Sequence, residues 1–295
     1  MGSARWDPTL YAATASVRSN QTRDQVFTQR TIVNKYDPKN ITLRESRDSD
    51  VNPESTAIIL GLDVTGSMGM IAEHIAKKGL GTLVESILDR MPVTDPHFMM
   101  MAIGDITCDS APLQVTQFEA DIKISDQLAE LYLEGGGGGN HYESYDLPWI
   151  FAARKTSIDC FEKRGKKGYL FTIGDELPPK TATAKKLSER VGIAEQQDYS
   201  VNEYLAEAQE KYHVFHVIVE QGSYAQRHLK EVNEGWQELI GKRAITLTDY
   251  KFISEVITAV IEVNEGANPA DVIAGCQSEQ CRAVVEAALY GKSQQ

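Results

Sequence analysis

TAIILGLDVTGSMGM, residues 56–70, decides the fold. Thr56 to Leu62 is a short apolar run rich in β-branched residues, the mark of a strand buried on both faces. Asp63, Thr65 and Ser67 then place three oxygen side chains along one turn, and Gly66 and Gly69 let the backbone bend tightly. Met70 to Leu88 follows with helical spacing of Ile71, Ile75, Leu80, Leu83, Val84 and Ile87. One helix cap needs one Ser or Thr. Three oxygen side chains with two glycines point instead to a ligand site for a hard cation such as Mg²⁺.

Outward from this unit, strands and helices alternate. Strands are expected at His97–Ile103, Leu113–Phe118, Tyr169–Ile173, His213–Val219 and Ala244–Leu247. Helices are expected at Ser125–Leu133, Tyr145–Lys163, Ala182–Val191, Val201–Gln209, Ala225–Leu239 and Tyr250–Val263, with one or two more in Pro269–Tyr290. Strands apolar on both faces, separated by helices, give an α/β fold: a doubly wound, mostly parallel six-stranded sheet with helices on both faces. Residues 1–55 read as a polar arm, with Val26–Val33 as a strand. The arm packs on the main domain, residues 56–265, or on another subunit; its aromatic content argues against a disordered tail. Residues 266–295 form a helical tail.

In such a sheet the ligand site lies at the carboxyl ends of the strands. Asp105 follows the second strand and Asp175 the fourth, so both converge with Asp63 on one edge, where carboxylates repel unless a cation lies among them. The glycine run Gly135–Gly139 leads into Asn140, His141 and Glu143. Asn140 and Glu143 can reach the same edge, and Glu143 or Ser144 can equally cap the next helix.

The Asp63–Met68 segment, DVTGSM, resembles the D-x-S/T-x-S signature of the metal-ion-dependent adhesion site in von Willebrand factor A domains, over roughly residues 56–264. The strand before it, the helix after it and the Gly174-Asp175 context match as well. The second loop departs from that pattern, with Asn140 and Glu143 after the glycines in place of a Gly-Gly-Thr. The resemblance implies a divergent intracellular member that binds Mg²⁺, Mn²⁺ or Ca²⁺ through Asp63, Thr65, Ser67 and Asp175, with Asn140, Glu143 and Asp105 as further candidates. It also implies a protein partner whose acidic side chain completes the coordination, contacting Gly66, Met68, Gly139, His141 and Glu176. The implied partner is an AAA+ ATPase or an assembly subunit, and the implied role is that of an adaptor.

Composition bounds the alternatives. The net charge of −12 and the lack of a long basic cluster argue against nucleic acid and anionic membrane; KRGKK at 163–167 is the densest basic run and reads as a solvated turn. No apolar run approaches the ~20 residues of a membrane span, and no secretory h-region opens the chain. Cytoplasmic location and reduced cysteines (Cys108, Cys160, Cys276, Cys281) are expected. A haloacid dehalogenase would need an acid where Thr65 stands, and a Walker A loop would need Gly where Glu286 stands. Zinc on His213 and His216 is disfavoured because they point to opposite strand faces. Two other readings stay open: a Mg²⁺-dependent, phosphatase-like hydrolase using Asp63, and a structural subunit of a homo-oligomer.

Overall fold

The computed structural model of the protein describes residues 4–66, 68–135 and 142–291. Its strands are β1 (Arg44–Ser46), β2 (Thr56–Asp63), β3 (Pro96–Ile103), β4 (Leu113–Val115), β5 (Thr156–Ile158), β6 (Gly168–Gly174), β7 (Thr181–Ala182), β8 (Tyr199–Ser200), β9 (Tyr212–Val219) and β10 (Ala244–Leu247). Its α-helices are α1 (Pro8–Ser19), α2 (Arg23–Val26), α3 (Gly69–His74), α4 (Leu80–Arg90), α5 (Lys123–Ala129), α6 (Asp146–Lys155), α7 (Asp159–Glu162), α8 (Ala184–Lys186), α9 (Val201–Lys211), α10 (Ala225–Ile240), α11 (Ile253–Asn264), α12 (Pro269–Ala274) and α13 (Glu279–Tyr290).

The central sheet runs β10-β9-β6-β2-β3-β4, parallel except for the antiparallel edge pair β3–β4. The fold is therefore the doubly wound α/β architecture expected. Alternate residues of each strand enter opposite apolar layers: Ile58, Leu60 and Leu62 pack on one face, Ala57 and Ile59 on the other. The chain moves from β2 outward to β3 and β4, then returns to place β6 on the other side of β2. The β2/β6 boundary is thus a topological switch point, where the crevice of such sheets opens.

Several expectations are corrected. Val26–Val33 is not a strand: Thr22 and Gln25 form a capping box that starts α2, and Val26 and Phe27 are buried in the core. The arm's strand is β1, paired in parallel with β5. The helix read as 145–163 breaks at Thr156, because Thr156-Ser157-Ile158 pairs with that arm strand. The third strand stops at Val115 rather than Phe118. The helix read as one piece from Met70 contains a π turn at Ile75–Gly79, whose loosened carbonyls are taken from outside: Tyr11 Oη donates to Lys78 O (3.3 Å) and Ser254 Oγ to Gly79 O (2.8 Å).

The arm packs on its own chain. Arg47 pairs with Asp159 at 2.8 Å, Arg164 with Asp48 at 2.7 Å, and Arg18 donates to Ser125 O at 3.1 Å. Tyr36 lies in the same apolar layer as Leu60, as do Val272, Val284 and Val285 of the tail. Burial of each such side chain stabilises the fold by roughly 1.5–3 kcal/mol. No helix among the described residues is long and apolar enough to cross a membrane.

Candidate metal centre

Asp63 ends β2 and Asp175 directly follows β6, the two strands that flank the switch point, and both are fully buried. Asp63 Oδ1 accepts from Thr65 N (2.9 Å) and Thr65 Oγ1 (2.6 Å), a short Asx-type turn that folds the loop back over the strand end. Because the Thr65 hydroxyl donates its proton to Asp63, its lone pairs remain available to a cation. Asp63 Oδ2 accepts from Tyr145 Oη at 2.8 Å. Asp175 Oδ2 accepts from Tyr224 N at 2.9 Å. Gly222 makes that approach possible, since a Cβ there would lie 2.2 Å from the same oxygen.

The segment after the glycine run is stitched to this edge. Glu143 N donates to Leu177 O (3.1 Å), Tyr142 bridges Leu177, and Ser144 Oγ accepts from Ile106 N (2.9 Å). Glu143 is thereby buried at 3% exposure, and its Oε2 has no hydrogen-bond partner among the described residues. Ser144 serves the neighbouring loop rather than a helix end. Asp105 is buried beside them, with its carboxylate turned onto its own loop: it accepts from Thr107 N (2.7 Å) and Thr107 Oγ1 (2.6 Å).

The electrostatics follow from this burial. Desolvation pushes the Asp63 carboxyl up, Asp175 adds to the rise, and the Thr65 hydrogen bond opposes it. Glu143 is raised far above the usual carboxylate range by burial and then by Asp63. Glu176, half-buried at the mouth, is raised to about 7 by burial, then by Asp63 and Asp175. The side-chain charges acting most strongly on Glu143 and Glu176 are all negative.

An aromatic wall backs the site. Tyr145 packs edge-on against His216 (centroids 4.8 Å apart), His216 stacks on Trp236 (3.6 Å, 8° between planes), and Trp236 Nε1 donates to Glu176 O at 2.9 Å. His216 accepts or donates through Nδ1 to Thr172 Oγ1 (2.8 Å), and burial holds its pKa well below the usual histidine range, so it stays neutral. Tyr145, Tyr224, Gly222 and Trp236 were not singled out by sequence. A Tyr directly after the Glu143-Ser144 pair was the one available signal, because a buried tyrosine hydroxyl seeks a polar partner.

Of the sequence-derived set, Asp63, Thr65, Asp175, Glu143, Asp105 and Glu176 meet at one edge, and Gly66 lies exposed above them. Met68 is corrected: it is fully buried in the apolar layer beneath α3 and cannot contact a partner. Ser67, Gly139, Asn140 and His141 lie outside the described residues. Among the described residues, no three His, Cys, Asp or Glu side chains are placed to hold a metal on their own. The donor set that the described residues offer is two carboxylates, Asp63 and Asp175, with the Thr65 hydroxyl oxygen, chemistry suited to a hard cation that keeps part of its water shell. The unpartnered Glu143 Oε2 and the crowded carboxylates fit such an ion.

No family model matches the chain, and no curated protein matches it. Solved structures with a similar layout include the pilus adhesin SpaC from Lactobacillus rhamnosus GG in its open conformation, at 10% identity and a TM-score of 0.48, covering 75% of this chain and 31% of the adhesin. A von Willebrand factor type A protein from Catenulispora acidiphila is 15% identical with a TM-score of 0.41, covering 73% of this chain and 44% of that one. The conserved hypothetical protein BatB from Bacteroides thetaiotaomicron is 12% identical with a TM-score of 0.41, covering 71% of this chain and 98% of that one. The chain thus spans under a third of the adhesin's length.

Proposed function

We propose that the chain is a divalent-cation-dependent protein-binding module of the von Willebrand factor A type, working as a cytoplasmic adaptor for an AAA+ ATPase or an assembly subunit. Asp63, Thr65, Ser67 and Asp175 would hold Mg²⁺, Mn²⁺ or Ca²⁺. The ion would supply a Lewis-acidic position that an acidic side chain of the partner protein fills. The observation that carries this reading is the convergence of buried carboxylates at the switch point with an unpartnered Glu143 Oε2. Uncompensated buried charge is expensive, and a divalent cation neutralises it.

The chain's own residues do the positioning. Thr65 and Tyr145 fix both oxygens of Asp63, and Tyr224 N fixes Asp175. Glu176 stands half-buried at the mouth, where it would meet the partner, and Gly66 leaves the approach open. Calorimetric titration of chelator-treated protein with Mg²⁺ and Mn²⁺ tests the reading. One cation per chain, lost in Asp63→Ala and Asp175→Ala variants that remain folded by circular dichroism, supports it. A wild type that takes up neither ion refutes it.

A further inference from the structure

The connection from β6 to α9 is longer than a crossover needs, and it builds a feature of its own. Residues 175–200 fold into the antiparallel pair β7–β8 and the short α8, beside the candidate metal centre. Between this connection and the loop after β3 lies a cavity of about 150 Å³, lined by Asp105, Thr107, Tyr142, Ser144, Thr183 and Lys186 among others. It touches the metal centre through Asp105, whose oxygens are held by its own loop.

The charge of this rim opposes that of the chain. Lys180, Lys185, Lys186 and Arg190 fall within eleven residues against one carboxylate, Glu189, in a chain of net charge −12. Arg190 is committed to Asp109 O. Lys180 and Lys185 are exposed and Lys186 is half-buried at the cavity, and none of the three forms an ion pair among the described residues. Nearby Asp198 is occupied as well, accepting from Ala184 N at 2.8 Å. Lysines left unneutralised in an acidic protein mark a surface that favours an anionic partner. The β7 strand has β8 as its one strand neighbour among the described residues, which suits an extended segment laid alongside it.

We propose that the Lys186-lined cavity and its lysine rim bind an acidic peptide segment of a partner protein, seating a second carboxylate beside the one directed to the metal centre. The first anchor rests on the proposed metal-dependent function; the second does not. Two anchors at fixed separation select for closely spaced acids, where a single metal contact would accept any lone carboxylate.

Fluorescein-labelled hexaglutamate is the probe, read by anisotropy in Mg²⁺ and again in EDTA. The variant Lys185→Glu/Lys186→Glu is compared with Lys166→Glu/Lys242→Glu, an equal charge reversal at exposed positions on the opposite edge of the sheet. The rim variant is expected to weaken binding by roughly tenfold or more, about 1.4 kcal/mol, with the control near wild type. Circular dichroism spectra and urea midpoints of both variants should match wild type, which confirms that they fold independently of any Mg²⁺ uptake. Equal losses in both variants, or no loss in either, or no binding of hexaglutamate, would overturn the proposal. If the protein takes up no Mg²⁺ but the rim variant still weakens hexaglutamate in EDTA, the rim stands and the metal reading falls.

Discussion

Asp63→Asn separates the function of the site from its contribution to stability, because the two should move in opposite directions. In metal-free protein at pH 8, the ionised Asp63 carboxylate is fully buried and faces Asp175 across the crevice. The amide keeps Oδ1 as acceptor for Thr65 N and Oγ1, and its NH₂ can donate to Tyr145 Oη. The charge disappears, the two Oδ1 bonds persist and the Tyr145 bond reverses direction, so the variant should be more stable than wild type by about 1–4 kcal/mol in EDTA. The sign follows from the raised carboxyl: the folded state holds its proton beyond the unfolded value of 3.8, and stability is lost as pH rises. Near pH 5 wild-type Asp63 keeps its proton and the advantage of the amide should shrink toward zero. Mg²⁺ at about 100 times its Kd should then add about 2.7 kcal/mol to wild type at pH 8 and nothing to the variant. Urea denaturation in EDTA and in Mg²⁺, at both pH values, measures all of these differences. A variant less stable than wild type in EDTA at pH 8, or protected by Mg²⁺ to the same degree, would refute the reasoning.

Three further outcomes are expected. Asp146 is buried at 1% exposure, neither of its carboxylate oxygens has a hydrogen-bond partner among the described residues, and burial followed by Asp105 raises it to about 7. Wild-type stability should therefore fall between pH ~4 and ~7 by at most about 4 kcal/mol from this group, and Asp146→Asn should flatten that slope in urea titrations. Gly222→Ala sets a methyl group 2.2 Å from Asp175 Oδ2 and should weaken Mg²⁺ binding at least tenfold by calorimetry, with roughly 1–3 kcal/mol of stability lost to overpacking. Gly81→Ala drives a methyl group to within 1.9 Å of the Tyr11 ring. It should release α1, so that trypsin cuts after Arg18 or Arg23 sooner than in wild type while Mg²⁺ affinity stays unchanged.

The sheet was legible because its signals are local. Runs such as Ile58–Leu62 and Phe98–Ile103 are apolar at every position, which only a strand covered on both faces tolerates, and turns follow each of them. Asp63, Thr65 and Asp175 were legible for the same reason, since the residue after a buried strand sits at the ligand edge in this architecture. What failed was non-local. The pairing of Thr156–Ile158 with Arg44–Ser46 joins segments over 100 residues apart, and neither carries a strand pattern alone. Tyr145 reads as the start of an apolar helix, and only the folded chain brings its hydroxyl to Asp63. Met68 failed in a different way: it sits within a ligand loop by sequence, but the turn closed by Met68 N to Thr65 O rotates its side chain into the core. The lysines of residues 180–190 look like an ordinary solvated helix face until the loop after β3 is seen beside them.

The most direct measurement is anomalous scattering from crystals grown with Mn²⁺. A single peak at the switch point, within coordination distance of the Thr65 hydroxyl and bridged to Asp63 and Asp175, is the expected result. Crystals that show no Mn²⁺ there, or show it only at surface carboxylates away from Asp63, would contradict the account.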